Sequence, residues 1–448
     1  MAPPISTQEH MSRRIEFRHA VYGRVFRKRR DALFDTLDAL LSSGTVASFA
    51  SLSQSKRFQR KWPSLYAAVE DGQIDTEAGR QLLIDQLPQK GICFFALDEL
   101  SWARPRSRVL NDVPYVHQAS SDVDGGTITI GYPYAALAWG AEAHPSWSLP
   151  VDVQRIPGKP TAQDVGGAQM QALAKARAEC TQALDSVAAD GKYGNGRFVS
   201  RVSGVRGGMV ARLRSDRVFY RPAEPTPGKR GLPSTYGERF AFKDEQTWGT
   251  PDEVQEFQDK HYGKVRPKRW NGLRDKRAPS LTCDLVRAAT HREQEKPPHA
   301  VWFAWLSPLQ PPTAIAITAQ TIWFAYVNRW PMEPGVRFRN ETLGWTFPRF
   351  QSAEAGDTWT WLVALAHWMR FLARPVVQDR PLPWQKAQSR VTPQRVRQSL
   401  GAMFLQIGTP ARPPKPRGKS PGWPKGRPRT PKERHQVVKK GVSATQTA

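Results

Sequence analysis

The sequence predicts an α/β protein whose strand-rich core follows a small helical domain and precedes a basic tail. Three observations carry this. Leu33, Leu37, Leu40 and Leu41 recur at helix spacing near the start, and Ile74, Leu82, Leu83 and Leu87 continue the pattern. After Gly91 the texture changes to short apolar runs at residues 92–97, 127–130 and 147–153, with turn residues Asp124, Gly125 and Gly126 among them. An alanine-rich helical stretch over 162–183 then leads to another short run through Val187 that ends at Asp190, and strands with an intervening helix make an α/β layer.

Taken in order, the helical domain is expected over residues 1–89. Its leading helix carries Arg13, Arg14, Arg18, Arg24, Arg27, Lys28, Arg29 and Arg30. A solvated face is one reading, but that much like charge repels itself unless a polyanion lies against it. Residues 90–206 hold the strands and their helix. From 207 to 298 β-prone pieces, 209–214 and 218–220, alternate with loops dense in Pro, Gly and Lys, which predicts a basic β-rich insertion. Apolar helical stretches return at 315–329 and 358–373, so residues 299–410 resume the core. Residues 411–448 carry Arg412, Lys415, Arg417, Lys419 and further cations among prolines, a composition that cannot bury enough apolar surface to fold alone.

Lysine and arginine total 66 against 40 aspartates and glutamates, a net charge of +26 with an isoelectric point near 10.3. Nucleic acid is the expected partner, because the charge is spread along the chain, whereas basic membrane binders gather it on one amphipathic helix. With 39% hydrophobic residues and 16 tryptophans the chain has the apolar mass for a packed core. No apolar stretch suits a bilayer: 301–330 is broken by Pro308, Gln310 and Pro311, and 359–373 is too short. The start does not read as a signal peptide, so a cytoplasmic, nucleoid-associated protein is expected. Cys93, Cys180 and Cys283 lie far apart, which excludes a disulfide framework or a zinc ribbon and leaves free thiols.

Candidate chemistry rests on acids. Asp98 closes the apolar run Cys93, Phe94, Phe95, Ala96, Leu97, so a carboxylate stands at the end of a strand that otherwise belongs in the core. Asp190 repeats the arrangement and is followed by Gly191, Lys192, Tyr193 and Gly194, turn residues that would hold it on an edge. Glu333 follows a helical stretch and is flanked by Pro331 and Pro334, which puts it at a helix start or kink. Each acid alone also reads as a turn former or a cap. Together, three hard oxygen donors suit magnesium or manganese.

The stretch around Glu333 resembles the signature of DDE-superfamily insertion-sequence transposases of bacteria, in which a tyrosine, an arginine, the third catalytic acid and a lysine recur at fixed spacing. Tyr326, Arg329 and Glu333 fall on the first three positions, and Asn340 stands where the lysine would be, with Arg337 and Arg339 near enough to offer a charge. Leu97 to Trp102 with Arg104, Pro105, Tyr115, Val116 and His117 is similar to the first-aspartate region of one such group. Ala189 to Gly194 is similar to the second-aspartate motif, and Leu343 to Thr346 with Pro348 continues the block after the glutamate.

The resemblance implies a ribonuclease-H-like core with the aspartates on adjacent strands, the glutamate on a helix and a β-rich insertion before that helix. It implies DNA cleavage and strand transfer at element ends, with double-stranded DNA as partner and a homodimer or larger assembly on it. Two magnesium or manganese ions are implied, Asp98 bridging both and Asp190 and Glu333 holding one each, with Tyr326 and Arg329 positioning the phosphate. Two ions about 4 Å apart can activate the attacking oxygen and stabilise the leaving one. A catalytically inactive DNA-binding descendant is the alternative, favoured by Asn340, and a nuclease that cleaves without joining is a third.

Two further strings bear on DNA. Lys425, Gly426, Arg427, Pro428, Arg429 resembles an AT-hook core, in which Arg427 and Arg429 would enter a narrow minor groove, and it reads equally as chance in a basic tail. Lys268, Arg269, Trp270 and the stretch from Trp345 to Phe350 interleave aromatics with charge, for base stacking or for the core.

Overall fold

The computed structural model describes residues 6–107, 110, 112–117, 127–141, 147–194, 196–202, 205, 207–223, 236–291, 299–307, 315–387, 391–416, 426 and 434. The chain opens with α1 (Thr7–Ala20), a π-helical turn (Val21–Val25), β1 (Phe26–Lys28), α2 (Arg30–Ser42), α3 (Phe49–Ser53), α4 (Pro63–Asp71), β2 (Gln73–Ile74) and α5 (Thr76–Ile84). The central strands follow: β3 (Gly91–Ala103), β4 (Tyr115–His117), β5 (Ile128–Gly140), β6 (Ser148–Arg155), α6 (Ala162–Ala176), β7 (Ala183–Ala189), α7 (Gly196–Val202) and β8 (Gly208–Leu213). Then come β9 (Val218–Pro222), β10 (Tyr236–Ala241), β11 (Glu253–Val254), β12 (Phe257–Asp259), β13 (Gly263–Asp275), β14 (Ala278–His291) and β15 (His299–Leu306). Four helices close the fold: α8 (Ala319–Val327), α9 (Met332–Glu341), α10 (Ala353–Ala373) and α11 (Pro393–Ile407).

The strands form one large mixed sheet, 13-stranded among the described residues. β6, β5 and β3 are antiparallel neighbours, β7 pairs in parallel with β3, and β8 in parallel with β7. Beyond β8 the sheet continues antiparallel through β15, β14 and β13 to β9 and β10. Helix α6 connects the antiparallel strands to the parallel ones, a crossover of the length parallel pairing requires. The mixed α/β architecture is consistent with a ribonuclease-H-like fold.

Several expected elements shift. The 127–130 run is only the start of β5, whose residues from Gly131 to Trp139 are buried, so the alternation that marks a half-exposed strand is missing. The helix expected over 162–183 stops at Ala176, because residues 183–189 are β7 itself. The 209–214 run, read as part of the insertion, is β8, pinned between β7 and β15. The basic leading helix is broken: α1 ends at Ala20, and Arg29 takes a left-handed conformation (φ 59°) before α2 begins.

The core is organised around α10, whose residues 358–370 are buried on every side and which is therefore central. Ser352 caps its N-terminus, the side chain accepting from the Ala355 amide. Trp359, Trp361 and Trp368 are buried, and Trp368 donates to the Pro150 carbonyl at 2.6 Å. Helices α1, α2, α4 and α11 and strand β6 all pack on α10. The N-terminal helices thus share one apolar cluster with the sheet. A second cluster lies under α8, joining Val210, Val286, Phe303 and Trp323, and a third gathers Phe240, Trp248, Trp270 and Trp302 on the outer strands. Among the described residues no helix is long and apolar enough to cross a membrane. Cys93, Cys180 and Cys283 are free thiols.

Candidate active site

Asp98 lies within β3, and Leu97 is the last residue of that strand in register with β7, opposite Ala189. Carrying that parallel register one step further brings Asp98 beside Asp190, the first residue after β7. The loop after Asp190 is an Asx-type turn: the Lys192 amide donates to Asp190 Oδ1 and the Tyr193 amide to the Asp190 carbonyl, both at 3.0 Å. The turn sits directly on β8, where a side chain at Gly194 would meet the Arg212 carbonyl at 2.9 Å. The turn-forming and the site-forming readings of Asp190 therefore hold together.

Asp98 feels the charge of its neighbour. Burial raises the Asp98 carboxyl above its ordinary range, Asp190 raises it further, and Arg329, the Glu99 amide and Lys192 oppose the shift. The Glu99 amide donates to Asp98 Oδ1 at 2.8 Å, and Lys192 pairs with Glu99. Beneath them the buried Tyr193 phenol is pushed well up by burial and by the charges of Asp98, Glu99 and Asp190, so it stays protonated.

Glu333 is the second residue of α9, in the first turn, where proline on either side is compatible with helix. Its side chain is exposed and faces the groove that Asp98, Arg329, Trp330, Arg337 and Asn340 also line. Arg337 stands 3.8 Å from it, one helical turn on. Asp98, Asp190 and Glu333 are not gathered into one ligand shell: among the described residues no group of three or more His, Cys, Asp or Glu could hold a single metal ion. Asp98 and Asp190 form the close pair, and Arg329, 3.8 Å from Asp98, lines both the groove that holds Asp98 and Glu333 and the groove onto which Asp190 opens.

Tyr326 packs on Phe303 with ring centroids 4.4 Å apart, and the Arg329 guanidinium lies over the Tyr326 ring. Arg339 is a correction. It is buried and donates to the Ser148 carbonyl at 3.1 Å, so its charge does not reach the groove as expected. Arg14 and Arg18 are also buried, Arg18 in a two-point ion pair with Asp38, and neither belongs to a DNA-facing surface. Trp270, Trp345 and Phe350 are core residues and are not available for stacking on bases. Arg427 and Arg429 lie outside the described residues.

Sequence reasoning missed a second groove. Asp190 opens onto it, with Arg212, Arg214, Lys243 and Arg329 along its walls. The signal was present in β8 and just after it, where buried Ala211 and Leu213 alternate with exposed Arg212 and Arg214.

The family model of the DDE superfamily endonucleases matches residues 22–276, more than half of the chain. The chain belongs to this family. The matched stretch of this DDE superfamily endonuclease contains Asp98 and Asp190 and ends before Glu333. No curated protein matches the chain. Among solved structures, one that resembles it is the cryo-EM structure of a piggyBac transposase synaptic complex with hairpin DNA, at 11% identity and a TM-score of 0.40, covering 90% of this chain and 80% of that one.

Proposed function

We propose that this chain is a transposase that cuts DNA at element ends and joins it to a target, using Asp98, Asp190 and Glu333 with divalent metal ions. The observation that carries the proposal is the Asp98–Asp190 pair, placed where the parallel pairing of β3 with β7 ends, within the part of the chain that matches the endonuclease family. A half-buried carboxylate whose protonation is favoured by a second carboxylate beside it is short of a cation, which fits a magnesium or manganese ion held by both. Glu333, which lines the same groove as Asp98, is the third donor. Bound ions would supply Lewis acidity for an attacking water, then for the freed 3′-hydroxyl.

The chain's own residues would bind and orient the substrate. Arg329, next to Asp98 and lining both grooves, is suited to a phosphate oxygen, and Tyr326 holds the guanidinium plane. Arg337, exposed beside Glu333, supplies the positive charge that a lysine at Asn340 would have given. The bacterial insertion-sequence origin, the domain divisions and assembly into a dimer or larger oligomer on double-stranded DNA belong to the same proposal.

Asn340 favours the second reading, an inactive DNA-binding descendant. It lines the groove shared by Asp98 and Glu333, and its neutral amide oxygen is buried without a hydrogen-bond partner among the described residues. One assay separates the two: purified full-length protein is incubated with its own element ends and magnesium or manganese. Cleaved and joined products that disappear in Asp98→Ala, Asp190→Ala and Glu333→Ala, with binding retained, are the expected result. Binding without any product under either metal points to the regulator.

A further inference from the structure

The burial of Arg14 and Arg18 leaves open where the N-terminal helices meet nucleic acid, and an exposed aromatic pair answers it. Trp62 is 60% exposed and Tyr66 41% exposed, far more than their neighbours in the packed interior. They meet edge to face with centroids 5.7 Å apart. The segment leading to them, residues 54–62, holds Lys56, Arg57, Arg60 and Lys61 and no acid. Arg60 is committed to Asp35 and to the Arg412 carbonyl, whereas Lys56 and Lys61 are exposed and make no ion pair among the described residues.

The pair is rigidly mounted and continuous with a second charged surface. Tyr66 packs on Phe49 at 4.9 Å, and Phe49 on Phe347 at 5.5 Å. Phe347 in turn lines a cleft with the exposed Arg106 and Arg349, at the end of β3, the strand that carries Asp98. From Asp98 to the end of β3 at Ala103 the strand rises roughly 17 Å.

We infer that Trp62, Tyr66, Lys56 and Lys61 form a docking surface for unpaired DNA, whose bases stack on the Trp62 ring and whose backbone continues toward Arg106 and Arg349. An open indole face recognises the face of a base, and inside a duplex those faces are already covered by neighbouring pairs. Lysines beside it supply phosphate contacts without sequence preference. A second copy of the chain is a poor occupant, because a two-fold contact centred on residues 54–62 would set Lys56 and Lys61 against their own copies, and that segment holds no acid of its own. The inference rests on the proposed function only in taking DNA as the partner.

The test uses the full-length protein and labelled DNA, single-stranded and blunt duplex of the same sequence, read by fluorescence anisotropy. Trp62→Ala is expected to weaken single-strand binding about ten-fold and to leave duplex binding nearly unchanged, with Trp62→Phe recovering most of the loss. Lys56→Ala with Lys61→Ala is expected to lower the single-strand salt slope by about 1.4. Wild-type single-strand affinity in Trp62→Ala overturns the inference, and so does an equal loss on both DNA forms. A change in self-association with DNA affinity intact overturns it in favour of a second copy. A wild-type protein that binds neither form overturns the functional proposal as well, whereas absent cleavage with the Trp62 effect intact overturns that proposal alone.

Discussion

The Arg329 guanidinium stands 3.8 Å from the Asp98 carboxylate, beyond hydrogen-bond length, while its own Nε is buried with no hydrogen-bond partner among the described residues. Arg329 is therefore held near the acidic pair by charge and not by a hydrogen bond. On the proposed reading it stands in for a cation when no substrate is bound. Arg329→Ala should tighten manganese binding several-fold in the absence of DNA, measured by calorimetry, and should weaken binding of element ends. Unchanged manganese affinity in the variant would remove Arg329 from this role.

Asp98→Asn should raise the melting temperature while it abolishes cleavage. The Asp98 carboxyl is raised by burial and by Asp190, so its favourable contribution is complete below the ordinary carboxylate range and is lost as pH rises through the raised value. At neutral pH the ionised group therefore costs stability, and the amide removes that cost. A gain of about 2 °C near pH 7 that shrinks as the buffer is made acidic is expected from thermal melts. A lower melting temperature at neutral pH contradicts the assignment.

Asp185 lies in β7 before Asp190 and is the natural control for it, but it is not a neutral one. Arg177, 3% exposed, donates from Nε to both carboxylate oxygens of Asp185, at 3.0 and 2.8 Å. Asp185→Ala leaves a buried guanidinium without that partner and should cost about 3–5 kcal/mol in denaturant unfolding. Cleavage per folded molecule should be retained, whereas Asp190→Ala should lose cleavage with little loss of stability. The reverse pattern would move the second catalytic position to Asp185.

The Asp35–Arg60 pair sets a pH dependence away from the site. Burial first, then Asp38 and Asp31, push the Asp35 carboxyl up to about 6, against the pull of Arg60. A raised carboxyl contributes its stability at low pH and loses it as pH climbs through about 6. Arg60→Ala removes the opposing cation, so its destabilisation should be small near pH 5 and reach about 3 kcal/mol near pH 8. A destabilisation that does not grow with pH means that Arg60 acts through packing alone.

What the sequence made legible depended on local physics. Asp98 and Asp190 stood out because a carboxylate at the end of an apolar run is a local anomaly, and Glu333 because Pro331 and Pro334 restrict it to a helix start. What stayed hidden depends on distant partners. Arg18 reads as surface charge until Asp38 and the Gly408 carbonyl are found beside it, and Arg339 until Ser148 is. The length of β5 was concealed because both of its faces are covered, which erases the two-residue period. Trp62 gave no sign of its exposure, since the sequence offers the same residue type for the core.

The way α1, α2 and α4 lean on α10 has a consequence for how the protein is born. Arg370 of α10 donates to the Leu40 carbonyl, Arg18 reaches the Gly408 carbonyl, and the Arg412 amide reaches Asp31, so residues 18–40 and 370–412 are clasped together. The ribosome releases α2 first and must then make the entire sheet before α10 emerges, a wait of roughly 15–60 s at 5–20 residues per second. Throughout it, Leu33, Leu37 and Leu40 lack the surface they are built to cover. A prematurely terminated chain therefore exposes a sticky helical fragment whose apolar face has no α10 to cover it.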